Sequence, residues 1–154
     1  DRYTNSDLAL AYSRMGEVFG KKNLIDKGDE YHKIAIELMP FVIDYKNKYG
    51  SFLFNNNQID NAERQYLDAL KLNPTIKEIH ANLGLIAIIK GDYKSGESSL
   101  KQAIALDPDY ILAYENLVLL SQKQNNPKVT KLYLQKIIEI APQHKAKEYL
   151  KIYN

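Results

Sequence analysis

The sequence predicts an all-α fold, a stacked array of four helical hairpins closed by one further helix. Three observations lead there. Pro40, Pro74, Pro108 and Pro142 stand 34 residues apart, three intervals in a row. Columns of small residues recur in phase with them. Between one proline and the next, apolar residues recur twice at helical spacing. A fixed period of this size marks an array of two-helix units.

With each proline at position 32, the units are 9–42, 43–76, 77–110 and 111–144. Position 8 reads Gly16, Gly50, Gly84, Val118. Position 20 reads Gly28, Ala62, Gly96, Thr130, and position 27 reads Ala35, Ala69, Ala103, Ile137. Five of the seven glycines fall in these columns, which chance does not easily arrange. Small residues there let paired helix backbones approach, and large ones at positions 4, 7, 11 and 24 fill the space around them. In unit 3 the first helix follows Ile79, Leu83, Ile86 and Ala87, and the second follows Leu100, Ala103, Ile104 and Leu106. Lys90-Gly91-Asp92 breaks them, as Asn55-Asn56-Asn57 does in unit 2 and Asn125-Asn126-Pro127 in unit 4. The in-register proline ends each second helix. One hairpin cannot bury its apolar face, so the units are expected to stack. The chain reads as one domain, 1–154, whose closing helix at about 145–154 covers the open end with Tyr149, Leu150 and Tyr153. Lys145, Lys147 and Lys151 would face water.

Composition bounds function. The hydrophobic share of 45% and charged share of 26% are those of a folded chain. A net charge of +2 implies no strong pull toward nucleic acid or anionic membrane. The lack of cysteine removes disulfides, thiolate metal sites and a cysteine nucleophile. No apolar run is long enough to span a bilayer. Since the chain opens on Asp1 rather than Met, a piece of a longer protein is expected.

Catalytic chemistry is not expected either. His32 and His80 fall in apolar columns, where packing explains them better than ligation. No His-x-x-x-His or His-Glu-x-x-His pair exists for zinc, and no glycine-rich phosphate loop is present. Asp107 and Asp109 flank a helix-ending proline and read as caps and solvating charge. Tyr12, Tyr66 and Tyr114 occupy core columns, so the tyrosines argue for packing rather than stacking on nucleic acid. The reading is a protein with no cofactor and no metal, and not an enzyme.

The pattern resembles the tetratricopeptide repeat family over residues 9–144. Unit 3 follows it closely with His80, Leu83-Gly84, Ala87, Gly91-Asp92-Tyr93, Leu100, Ala103 and Pro108. Unit 2 follows with Tyr49-Gly50, Leu53, Ala62, Tyr66, Ala69 and Pro74. Unit 1 is weaker, with His32 unusual in its column. Unit 4 departs most, at Val118, Thr130 and Ile137. The resemblance implies a right-handed superhelical α-solenoid whose first helices line a concave groove for a peptide or partner domain. Carried over by position, the groove residues are Asn47, Lys48, Ser51, Asn82, Leu85, Ile89, Leu112, Asn116 and Leu119, with Ile88 on the same apolar strip. Asn82 and Asn116 are the sharpest candidates, because an amide offers both a donor and an acceptor to a peptide backbone. Family members that clamp the carboxylate end of a chaperone tail need a set of Lys, Arg and Asn residues of which only Asn82 is present here, so that mode is not expected. The expected function is a non-catalytic interaction scaffold that binds protein or peptide. The alternative is an oligomerisation or regulatory arm of a larger protein, possibly an enzyme whose catalytic domain lies elsewhere, with self-association through the apolar strip.

Overall fold

The computed structural model describes residues 4–153, and these form an all-α repeat fold without strands. Eight helices pair as hairpins: α1 (Asn5–Lys21) with α2 (Ile25–Leu38), α3 (Ile43–Asn55) with α4 (Ile59–Leu72), α5 (Lys77–Ile89) with α6 (Tyr93–Leu106), and α7 (Ile111–Lys123) with α8 (Pro127–Ile140). A short α9 (Ala146–Leu150) and a 3₁₀ turn (Lys151–Tyr153) follow. The chain divides into two compact units, Asp1–Pro74 and Thr75–Asn154.

The hairpins end where the proline register requires. The second helices stop at Leu38, Leu72, Leu106 and Ile140, two residues before each proline. The intervening Met39, Asn73, Asp107 and Ala141 have φ between −134° and −148°. A residue before proline is pushed out of the helical region by the pyrrolidine ring. The tight turns use a second device. Asn23, Asn57, Gly91 and Asn125 all have positive φ, at 59°, 60°, 83° and 53°. They too are spaced by 34, and asparagine and glycine are the residues that tolerate this left-handed backbone. Sequence inspection found the turns but not this shared column. It also placed the first unit at residue 9, whereas α1 begins at Asn5. There Thr4 and Asp7 form a reciprocal capping box.

The small-residue columns are where helices touch. A Cβ added to Gly50 would lie 2.6 Å from the Tyr66 ring, and one on Gly84 would lie 2.7 Å from Leu100 Cγ and 3.2 Å from Gly96 O. One on Gly16 would lie 2.7 Å from the His32 ring. In the first three hairpins, position 8 of the first helix therefore seats position 24 of its partner. Ala35, Ala62, Ala69 and Ala103 are fully buried. In the last hairpin Thr130 replaces the small residue, and its hydroxyl meets that of Ser121 at 2.8 Å.

Within the first unit α3 packs on both α1 and α2, and Ala9, Ala35 and Tyr45 form a core backed by Tyr12, Met39 and Val42. Phe52 fills a notch made by Gly20 and Gly28. Within the second unit α7 packs on α5 and α6, around Ile88, Leu100, Leu117, Leu120 and Leu134. The closing segment is shorter than expected. Leu150 and Tyr153 pack against this core, and buried Ala146 belongs to it. Tyr149 instead stays 51% exposed, because the five-residue helix turns it outward. Lys145, Lys147 and Lys151 face water.

Candidate functional site

In the first unit, α1 and α3 frame an open cleft of about 520 Å³. It contains Asn47, Lys48 and Ser51 from α3, Glu17 and Lys21 from α1, and His32 and Phe52 at its base. The site follows from the hairpin geometry. Gly16 and Gly20 have no side chains, so His32 and Phe52 reach toward α1 and form the base.

Lys48 Nζ stands 3.2 Å from both Glu17 Oε1 and Asp44 Oδ2. Burial works against its charge, but the two carboxylates outweigh it and hold its pKa above the ordinary lysine value. Ser51 Oγ and Tyr66 OH are 3.0 Å apart, so Ser51 is engaged with α4. The Tyr49 hydroxyl donates to Asp29 Oδ1 at 2.6 Å; burial first, and then that carboxylate, push its pKa up. His32 is 1% exposed and clusters with Tyr49 and Phe52, with ring centroids 5.6 and 5.0 Å away. Burial pulls its pKa down to about 4, against a smaller upward pull from Glu17 and Asp29. It is therefore neutral at pH 7. Neither ring nitrogen has a hydrogen-bond partner, nor does the buried Asn47 Oδ1. The sequence position makes the imidazole a packing residue. Its two unpartnered nitrogens are visible only in the structure, although its polarity beside Tyr66, Leu100 and Leu134 in the same column was a signal.

In the second unit the expected residues separate. Ile89 and Leu112 are exposed, at 53% and 38%, while Asn82, Leu85 and Leu119 are half-buried. Asn116 is buried, and its Nδ2 donates to Ala81 O at 3.3 Å, tying α7 to α5. Ile88, expected on the open strip, is only 3% exposed and abuts Gly96 on α6. It lies four residues after Gly84, and positions i and i+4 share one helix face, so the face that meets α6 takes Ile88 with it.

Among the described residues, no group of three or more His, Asp or Glu side chains could hold a metal ion. No helix there is long and apolar enough to cross a membrane.

Paired helices joined by a left-handed turn, with glycine and alanine at each crossing, define a helical-hairpin repeat protein. Residues 43–76 and 77–110 each match the model of the tetratricopeptide repeat family. These two segments are tetratricopeptide repeats. Solved structures share the fold. The MamA protein is 20% identical with a TM-score of 0.79, covering 95% of this chain and 80% of its own. PilW, a type IV pilus biogenesis factor, is 22% identical with a TM-score of 0.81, covering 91% of this chain and 65% of its own. The APC/C hetero-tetramer Cut9–Hcn1 is 21% identical with a TM-score of 0.81, covering 98% of this chain and 30% of the matched one. This chain thus spans under two thirds of the second and under one third of the third. No curated protein matches.

Proposed function

We propose that the chain is a non-catalytic scaffold that binds an extended peptide or partner segment along the exposed faces of its first helices. The tetratricopeptide repeats support a protein–protein interaction role, and repeats of this family are generally scaffolds rather than catalysts. The observation that carries the finer reading is the cleft between α1 and α3, where Asn47, Lys48 and Ser51 meet around about 520 Å³ of open space. In the second unit, Asn82, Leu85, Ile89, Leu112 and Leu119 supply a mixed amide and apolar surface of the kind that marks contact sites. Asn116 contributes there by fixing α7 against α5.

The test is selection of peptides from a displayed library against the full chain, followed by NMR mapping of the selected binders. Backbone shifts should concentrate on α3 around Asn47 to Ser51 and on α5 around Asn82 to Ile89. Asn47→Ala should weaken binding about tenfold, the worth of a hydrogen bond in a desolvated site, with the melting temperature almost unmoved. Peptides that shift only the outer surfaces of α2 and α4 would overturn the reading. The exposed Ile89 and Leu112 favour one second reading, self-association through the apolar surface of the second unit. A concentration-dependent dimer in light scattering, abolished by Leu112→Asp, would establish it.

A further inference from the structure

Charge is not spread evenly along the chain. Residues 123–154 hold seven lysines and two glutamates, a net charge of +5, whereas the first 122 residues sum to −3. The small overall charge conceals this contrast. Two hollows lie side by side on the closing segment of the second unit. One, of about 120 Å³, is apolar. The nearly buried Leu134, Ile137 and Ala146 form its floor, and Val118 and the half-exposed Tyr149 form its walls. The other, of about 290 Å³, is lined chiefly by charge: Lys145, Lys147, Lys151 and one acid, Glu148. His144 and Lys145 border both. His144 Nδ1 accepts from the Ala146 N–H at 3.1 Å, so Nε2 carries the hydrogen, and it stands 3.3 Å from Glu115 Oε1. Lys145 Nζ is 4.0 Å from the same oxygen. Glu115, the acid at the apolar pocket, is thus matched from within. Lys147 and Lys151 are exposed and form no ion pair among the described residues.

We propose that these two hollows form a docking site for an acidic protein segment that carries one branched aliphatic side chain. The aliphatic group enters the apolar pocket, and flanking carboxylates meet Lys145, Lys147 and Lys151. None of the groove residues above takes part, so the proposal stands or falls by itself. Size and charge choose the occupant. An apolar cavity of about 150 Å³ holds a benzene-sized group. One of about 120 Å³ therefore takes a leucine or isoleucine side chain. Carboxylates gain charge-assisted hydrogen bonds from ammonium groups that have no partner of their own. A basic segment would be repelled, and a neutral one would leave the lysines unused. A nucleic acid matches the charge but has no aliphatic branch for the pocket. An anionic bilayer also matches the charge, but it presents a plane, and a plane does not reach a concave floor.

The experiment uses the full chain and three end-blocked pentapeptides: Glu-Glu-Leu-Glu-Glu, Gln-Gln-Leu-Gln-Gln, which lacks the charge, and Glu-Glu-Gly-Glu-Glu, which lacks the anchor. Methyl NMR reports the pocket directly. The first peptide should shift the Val118 methyl signals and bind about tenfold or more tightly than either of the others at low salt. Added salt should weaken it and leave the glutamine peptide unaffected. The double change Lys147→Glu with Lys151→Glu alters two exposed side chains, so the variant should keep its circular dichroism spectrum. It should lose the preference for the acidic peptide over its glutamine counterpart. Equal affinity for the three peptides, a preference that survives in the double variant, or Val118 methyl signals that no peptide moves would each overturn the site. So would capture of the chain on phosphatidylserine vesicles without selectivity among the peptides, which would assign the lysines to a membrane surface instead.

Discussion

The first and third hairpins solve one packing problem with different chemistry. In each, a glycine in the first helix receives a side chain from position 24 of the second: Gly16 receives His32, and Gly84 receives Leu100. Both incoming side chains are almost wholly buried. Leucine closes the slot and contributes apolar burial. Histidine closes it equally well by shape, with Tyr49 and Phe52 against its ring, but leaves two polar atoms unsatisfied at the base of a cleft. Shape specifies the hairpin, and the chemistry of the side chain that fills the slot is free to vary.

The comparison can be broken most severely at the glycines. Gly84→Val should destabilise the protein by roughly 3 kcal/mol or more, because the added atoms meet both Leu100 and the backbone oxygen of Gly96. Gly16→Val should behave alike, since the stacked His32 ring has nowhere to move. Urea denaturation followed by circular dichroism measures both. A loss under about 1 kcal/mol at either site would mean that the helices can separate and that the glycine does not set their approach.

The reciprocal exchange comes next. Leu100→His should cost about 2–4 kcal/mol, combining lost apolar burial with the burial of an unpaired imidazole. His32→Leu should leave stability at pH 7 equal or higher. A Leu100→His variant as stable as its parent would show that an unpaired imidazole is tolerated anywhere in the fold.

Acid sharpens the contrast further. The folded pKa of His32, about 4, lies below the unfolded value of 6.5. Between those values the unfolded chain binds more protons, so stability falls as pH drops from 6.5 toward 4. The contribution is present in full above pH 6.5, and its loss reaches about 3 kcal/mol at most. Stability curves of the parent and of His32→Leu should run parallel above pH 6.5 and diverge below it, with the parent falling faster. Parallel curves throughout would mean that the imidazole is solvated and titrates normally.

The smallest expected effect lies in the turns. Gly91→Asn copies the residue found at the same place in the other three hairpins and should change stability by no more than about 0.5 kcal/mol. Gly91→Val should cost more, about 1–2 kcal/mol, although nothing crowds the site, because a branched side chain resists φ of +83°. Equal melting temperatures for the two variants would show that the turn relaxes out of the left-handed region.

The repeat register was legible because it is periodic and local. Prolines, glycines and alanines repeat at one phase, and each has a backbone reason to do so. The candidate site was legible only in part. Asn47, Lys48 and Ser51 do meet in one cleft, but nothing in the one-dimensional pattern says that Lys48 is matched by Glu17 from another hairpin. Position numbers put Ile88 and Asn116 on open faces, whereas both are buried. A rotation of a third of a turn about the helix axis takes such a residue from solvent to core, and position counting resolves that rotation poorly.

From the amino-acid sequence alone follow eight paired helices, the sites of their turns and the small residues at their crossings, since each depends on neighbours within one hairpin. Only the tertiary structure decided that Asn116 binds the Ala81 carbonyl, that Tyr149 stays outside, and that His32 is sealed from water with its nitrogens unmet. Those outcomes depend on which surface comes to lie over which. Packing between separate helices sets that, through distances no local pattern encodes.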